Sequence, residues 1–273
     1  MTHTPAYVHG YSGGEQTRLV DQATTLTDLL HAGTDYPPGS LVLEAGCGVG
    51  AQTVTLATRS AGATIVSVDI STESLAAARQ RTRSARVENV RFQHADLYAL
   101  PFAAEAFDHV FVCFVLEHLS RVGEALQGLK RVLKRGGTLT VIEGDHGSAY
   151  FHPQSPDARR AIECLIELQA RAGGDSLIGR ALYPLLGEAG LDDVEITPRV
   201  VYVDASRPHL VDGFTRKTFT AMVEGVGDQA IASGLIDDAT WKRGIRALHR
   251  TAEEDGTFSY TFFKGVGRKP LRG

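Results

Sequence analysis

The 273-residue sequence predicts an α/β fold of the doubly wound kind. Three observations carry that prediction. Short β-branched or apolar runs alternate with helix-like segments from about residue 41 to 145. A glycine-rich turn follows the first such run directly, and acidic residues follow the next two. Strand and helix alternating at this spacing imply right-handed crossovers and a mostly parallel sheet.

Each element has its own signal. Leu41–Ala45 is a short apolar strand that runs into Gly46-Cys-Gly-Val-Gly50, and Ala51–Arg59 reads as helical. Thr64–Val68 is a second, β-branched strand ending at Asp69. Ser71 or Thr72 can cap the next helix, Glu73 suits its positive end, and it extends to about Ser84. Val90–His94 alternates as a third strand that stops at Asp96, and Asp108–Cys113 is apolar enough to be buried on both faces. Residues 120–134 predict an amphipathic helix with Leu126, Leu129, Val132 and Leu133 inward, closed by Arg135-Gly-Gly137 as a left-handed cap. Thr138–Glu143 is the fifth strand. Beyond it, 157–171 and 177–189 are helical, and 194–203 is an extended pair or one strand interrupted at Pro198. Residues 208–253 are mostly helical with glycine breaks at 213, 225, 227 and 234, and Phe258–Phe263 is a terminal strand.

Composition narrows the function classes. The chain is 43% hydrophobic and 22% charged, the balance of an ordinary globular protein. A formal net charge of −4 offers no basic field for nucleic acid or an anionic membrane. No apolar run is long enough to span a bilayer, and the N-terminus lacks the apolar segment of a secretory signal. Cys47, Cys113 and Cys164 are scattered without a CxxC pair, which fits a reducing cytoplasm rather than a disulfide framework or zinc cluster. The expected organisation is a single domain over 1–273. It divides into an N-terminal segment over 1–39, the alternating strand-and-helix half over 40–145, and 146–273, which holds a helical cap at about 206–255.

The most informative segment is Val42–Gly50. A glycine turn between a strand and a helix lets a ligand approach the backbone, and such switch points in open parallel sheets bind ligands. The spacing Gly46, Gly48, Gly50 departs from the dinucleotide fingerprint by one position. Glu44, just before the turn, repels a pyrophosphate but tolerates a cation. Asp69 is placed to take both hydroxyls of a ribose, and Asp96 to accept from an adenine amino group. No Walker lysine follows the glycines, no G-x-S-x-G elbow occurs, and His146 and His152 lack zincin spacing.

These segments resemble the seven-stranded, Rossmann-like S-adenosyl-L-methionine-dependent methyltransferases. VLEAGCGVG resembles their glycine motif, SVDIS their ribose-binding acid and ADLYALPF their adenine-contacting strand end. FDHVFVCFVLEHL and LKRVLKRGGTLTVIE resemble the next two blocks of the ubiquinone/menaquinone-biosynthesis-like subgroup. The resemblance covers roughly 40–145. It implies a sheet in the order 3-2-1-4-5-7-6, with Phe258–Val266 as an antiparallel last strand. It also implies that Gly46, Cys47, Gly48, Gly50 and Gln52 border S-adenosylmethionine, with Glu44 beside them. Asp69 and Ile70 would hold the ribose, Asp96 and Leu97 flank the adenine, and Cys113 and Phe114 pass beneath the methionine portion. The segment carrying Tyr7, Gly10, Tyr11, Glu15, Arg18 and Gln22 resembles a lid, in which Arg18 neutralises the methionine carboxylate and Tyr7 or Tyr11 closes over the methyl group. An ordinary amphipathic helix docked by Leu19 and Leu26 accounts for the same residues.

Methyl transfer is an in-line displacement that positioning alone can promote, and a base is needed only where the acceptor proton must leave. Candidate bases are Glu117, His118, Glu143, Asp145 and His146. Capping of a helix start and support of the cofactor loop is the reading favoured for Glu117 and His118, and His146 also reads as a loop histidine bonded to backbone. Tyr150, His152, Tyr202, His209 and Phe214 fall in loops or the cap that would roof an acceptor pocket, and Tyr7 is a further candidate acceptor contact. The cap's Phe214, Phe219, Met222, Val223, Ile231 and Leu235 suit an apolar or mixed organic acceptor, although packing within the cap explains most of them.

The expected partner is thus a small-molecule acceptor, methylated on carbon, oxygen or nitrogen, with no nucleic acid, membrane or metal; a homo-oligomer is left open. Two alternatives stand beside it. One is C-methylation of a prenyl or terpenoid alkene with cation-driven cyclisation. The other is a protein of the same fold that binds S-adenosylmethionine without transferring its methyl group.

Overall fold

The computed structural model describes residues 25–272, together with Arg18 and Ala23. Helix α1 (25–31) precedes β1 (Leu41–Ala45), α2 (Thr53–Arg59), β2 (Thr64–Asp69), α3 (Thr72–Ser84), β3 (Val90–His94) and β4 (Phe107–Cys113). Then come α4 (Val122–Val132), β5 (Leu133–His152), α5 (Pro156–Arg171), α6 (Leu182–Glu188) and β6 (Asp192–Val203). The helical segment α7 joins Pro208–Leu210, Val211–Thr220 and Ala221–Glu224; α8 (Gly227–Ala232), α9 (Asp238–Arg250) and β7 (Thr257–Arg268) complete the chain. The seven strands form one mixed sheet in the order β3-β2-β1-β4-β5-β7-β6, the order the family resemblance implies.

The chain divides into two compact units. The larger takes Thr27–Glu143, Ile178–Pro198 and the chain from Phe263 on; the smaller takes Gly144–Leu177, Arg199–Phe262 and the described residues before Thr27. In the larger unit β1 pairs in parallel with both β2 and β4, β2 with β3, and β4 with β5. Ala45 lies opposite Val68 and Val112, and Cys113 opposite Ile142, so the carboxyl ends of these strands share one edge. Strand β4 is fully buried from Val110 to Val112 and nearly so at Cys113, as an apolar central strand requires. On one face α4 presents Leu126, Leu129 and Val132, all fully buried, in a core with Val110, Val112, Leu139, Val141, Leu182 and Leu186. Each such side chain contributes about 1.5–3 kcal/mol by leaving water.

The smaller unit has a different core. Phe214, Phe219, Phe258, Tyr260 and Phe262 are all at most 2% exposed and pack ring on ring. Helices α5 and α9 meet where Gly244 carries no side chain; a Cβ there would lie 2.5 Å from the Asp157 carbonyl oxygen.

Several local expectations are corrected. The amphipathic helix stops at Val132, and Arg135-Gly-Gly137 lies inside β5 instead of capping a helix. The reason is a tertiary pairing: Gly136 N–H donates to the Lys269 carbonyl at 2.9 Å, and Lys269 N–H returns a bond to Gly137. The segment over Val194–Val203 is one strand, because β6 is the outermost strand and Pro198 therefore costs no central ladder bond. Gly213 breaks nothing: α7 runs through it in a π-helical stretch, with Thr218 Oγ1 donating five residues back to the Gly213 carbonyl at 2.7 Å. Gly225 and Gly234 do mark helix ends. Among the described residues no helix is long and apolar enough to cross a membrane.

Candidate active site

The glycine turn leaves β1 with three left-handed residues, Gly46 (φ 75°), Gly48 (φ 51°) and Gly50 (φ 77°). Two of them serve the chain's own packing. A Cβ on Gly46 would lie 2.6 Å from Val115 Cγ2, and one on Gly50 2.9 Å from Ala78 Cβ. At Gly48 nothing lies within 4 Å, so that backbone is open to an approaching ligand. The turn is tied to β2 twice over. Gly46 and Cys47 N–H donate to the Val68 carbonyl at 2.8 and 2.9 Å. Gly48 N–H donates to Asp69 Oδ2 at 2.7 Å, while Asp69 Oδ1 accepts from Ser71 N–H at 2.8 Å. Asp69 therefore latches the glycine turn as well as closing β2. Ile70, beside it, is 43% exposed.

Glu44 is 2% exposed, and its Oε2 accepts from Ser67 Oγ at 2.6 Å and Thr53 Oγ1 at 2.8 Å. It braces β1 against β2 and α2. Burial pushes its carboxyl up to about 7, against the opposing pull of the two hydroxyls. Its charge is thus only partly present at neutral pH. This yields a stability prediction. Between about pH 4.5 and 7 the unfolded chain has released the Glu44 proton while the folded chain keeps it, so folding weakens as pH rises through that window. The Glu44→Gln variant has no such proton. It is expected to match the wild type at pH 5 and exceed it at pH 8, by on the order of 2 kcal/mol. Urea unfolding at the two pH values checks this; a gap that does not change with pH contradicts it.

Gln52 stands at the start of α2, its Oε1 2.7 Å from His31 Nε2. His31 is fully buried and stacks on Phe111 with ring centroids 5.6 Å apart. Asp96 caps the single turn Leu97–Ala99 by accepting from Tyr98 N–H at 2.9 Å, and Leu97 is buried. Cys113 is buried among carboxyl groups, and burial with Glu143 nearby drives its thiol well above its ordinary range. Phe114 takes a left-handed φ of 58° and donates N–H to the Ile142 carbonyl at 2.9 Å.

The turn after β4 hangs on one side chain. Glu143 Oε1 accepts from Val115 N–H at 3.0 Å and Leu116 N–H at 2.7 Å. Burial and the neighbouring Glu117 hold the Glu143 carboxyl well above the usual range. Glu117 is itself buried, with Oε1 3.7 Å from His118 Nε2. In the sequence Glu143 reads only as a candidate base; in the structure it organises this turn. His31, Thr53 and Ser67 carry no sequence signal for their roles, because each is defined by a partner 9 to 23 residues away.

The smaller unit carries the other candidates. His146 is 5% exposed, with Nδ1 2.8 Å from the Tyr260 hydroxyl and its ring edge-on to Phe219. Phe214, 1% exposed, lies 5.8 Å from Tyr260 between ring centroids. Tyr150, Tyr202 and His209 are not brought into this cluster. Tyr150 is 66% exposed beside Arg159, and Tyr202 is 44% exposed beside Arg207. His209 is exposed. Arg18 is half-buried, while Tyr7 and Tyr11 lie outside the described residues. Among the described residues no group of three or more His, Cys, Asp or Glu side chains is gathered for a metal ion.

A family model described as a methyltransferase domain matches residues 43–141. Methyltransferase GfsG of Streptomyces halstedii is 33% identical over 222 residues, covering 81% of this chain and 77% of that protein. The 27-O-demethylrifamycin SV methyltransferase of Amycolatopsis mediterranei is 31% identical over 227 residues, covering 82% and 76%. Among solved structures, the [4+2]-cyclase SpnF superposes with a TM-score of 0.55 at 21% identity, covering 92% of this chain and 82% of that one. That last likeness is one of fold.

Proposed function

Because the chain belongs to the S-adenosylmethionine-dependent methyltransferases and transfers a methyl group to a small organic acceptor, we propose that the methylated atom is a hydroxyl oxygen and that His146 takes its proton. The observation that carries the reading is the buried His146 imidazole, oriented through Nδ1 by the Tyr260 hydroxyl. Histidine is the side chain whose ordinary pKa suits proton removal near neutrality. The relative named for 27-O-demethylrifamycin SV supports an oxygen acceptor.

The residues of the larger unit fit the cofactor. Gly48 offers open backbone at the strand end, and Asp69 offers a carboxylate whose two described bonds leave lone pairs for ribose hydroxyls. When bound, S-adenosylmethionine supplies an electrophilic methyl carbon on a sulfonium. We assign Gly46, Cys47, Gly48, Gly50 and Gln52 to its border, Asp69 and Ile70 to the ribose, and Asp96 and Leu97 to the adenine. We assign Cys113 and Phe114 to the methionine portion, Arg18 to its carboxylate, and Tyr7 or Tyr11 to closing over the methyl group. Glu143 holds the turn after β4, and Glu44 braces β1, which leads into the glycine turn, against β2 and α2. Phe214 is assigned to an apolar wall for the acceptor. The three free, buried cysteines support a reducing cytoplasm as the compartment.

The test uses methyl-labelled cofactor with a panel of hydroxyl-bearing polyketides and phenols, the same compounds with the hydroxyl blocked as methyl ethers, and a set of amines and prenyl alkenes. Label on the free hydroxyl and none on the blocked compound is the expected result. Label appearing on carbon or nitrogen overturns the oxygen assignment.

A further inference from the structure

We infer that Tyr260 is a positioning residue for His146: its hydroxyl oxygen accepts from Nδ1–H, so the basic lone pair resides on Nε2. This rests on the assignment of His146 as the base. A neutral imidazole carries one proton on either nitrogen, and the partner of one nitrogen decides what the other can do. Were Tyr260 to donate to Nδ1, Nε2 would keep its own hydrogen and could not take another. With Nδ1–H donating to Tyr260, the proton leaving the acceptor oxygen goes to Nε2. The oxygen's electron pair forms the bond to the methyl carbon, and the sulfonium's bond to that carbon breaks to give the neutral thioether. The resulting imidazolium keeps its Nδ1–H bond to the phenol oxygen, so one geometry serves before and after transfer.

Both partners are held rigidly, and all the contacts lie within the smaller unit. Tyr260 is 2% exposed and fixed by rings of Phe214, Phe219 and Phe262 at centroid distances of 5.8, 5.5 and 4.7 Å. Its hydroxyl fits because residue 144 is glycine: a Cβ there would overlap the phenol oxygen. The His146 main-chain N–H donates to the Ser176 carbonyl at 2.9 Å. Asp145 Oδ1 accepts from Gly147 N–H at 3.0 Å, a bond across His146 within β5. Thr261 N–H donates to Ser148 Oγ at 2.9 Å, which ties the residue after Tyr260 to β5 two residues beyond His146. These bonds fix the backbone that carries both side chains, and the surrounding rings confine the phenol.

Nitrogen-15 spectra of the histidine-labelled full-length protein test this directly, with the His146 signals identified by their loss in His146→Gln. A bare Nε2 and protonated Nδ1 in the wild type at neutral pH are expected; a bare Nδ1 overturns the inference. Tyr260→Phe keeps the ring packing and is expected to lose the Nδ1-protonated preference, as is Gly144→Ala, which displaces the hydroxyl. An unchanged tautomer in a folded Tyr260→Phe protein, its folding checked by thermal melting, also overturns it. Should that variant fail to fold, the wild-type spectrum alone decides. Failure of the base assignment looks different: His146→Ala would then retain full methyl transfer while the tautomer stays as stated.

Discussion

The His146→Ala variant is expected to lose methyl transfer by about 10²–10⁴-fold while binding S-adenosylmethionine with wild-type affinity, the scale of a removed general base. The split between turnover and cofactor affinity is the informative part. His146 belongs to the aromatic core of the smaller unit, bonded to Tyr260 and edge-on to Phe219, whereas the glycine turn, Asp69 and Asp96 belong to the larger unit. Calorimetry for the cofactor and label transfer to the acceptor measure the two quantities separately. Equal turnover in variant and wild type would remove the base and leave positioning as the whole of catalysis. Lost cofactor affinity would instead mean that the substitution had disturbed the protein more widely. A thermal melt belongs beside both measurements, because emptying a buried aromatic site costs about 1–3 kcal/mol in its own right.

Replacing Asp69 by alanine is expected to weaken cofactor binding by about 1.5–3 kcal/mol, or roughly 10- to 150-fold in Kd. Two effects combine. The ribose hydroxyls lose a charged acceptor, and the N–H groups of Gly48 and Ser71 lose the oxygens that now hold them at 2.7 and 2.8 Å. The second effect acts on the free protein too, because it releases the middle of the glycine turn. Calorimetry gives the sum, and amide exchange at Gly48 and Ser71 in the cofactor-free protein isolates the second part. Unchanged affinity would refute the ribose assignment. Weakened affinity with undisturbed exchange would assign the whole loss to the ribose.

Much of this is legible in the sequence itself. The glycine turn after an apolar strand, Asp69 after the second strand and Asp96 after the third are local signals, and each sits at the strand end that its spacing predicts. Ser71 caps α3 as its residue type suggests, accepting from Ser74 N–H at 3.1 Å. The roles of Glu44 and Glu143 were less legible. Both are acids near strand ends, and the sequence offers them as a charge and a base. Burial changes both: the described bonds of Glu44 run to two hydroxyls, and those of Glu143 hold the backbone of the turn after β4. Burial is a property of packing, so residue type alone could not reveal it. The Arg135-Gly-Gly137 segment shows the same limit from the backbone side. Glycine after an amphipathic helix is ordinarily a cap, but here pairing with Lys269, over 130 residues away, extends the strand instead.

By itself, then, the sequence determined the α/β class, the glycine turn with its acidic neighbours, and the family those imply. Periodicity, turn glycines and strand-end acids are encoded within a few residues of one another, and the chain carries them wherever it folds. Only the tertiary structure decided that β5 runs over 20 residues, that Glu143 holds the β4 turn, and that His146 meets a tyrosine 114 positions later. A buried polar group must find its hydrogen-bond partner wherever the packed core supplies one, and that partner's place in the chain leaves no local trace.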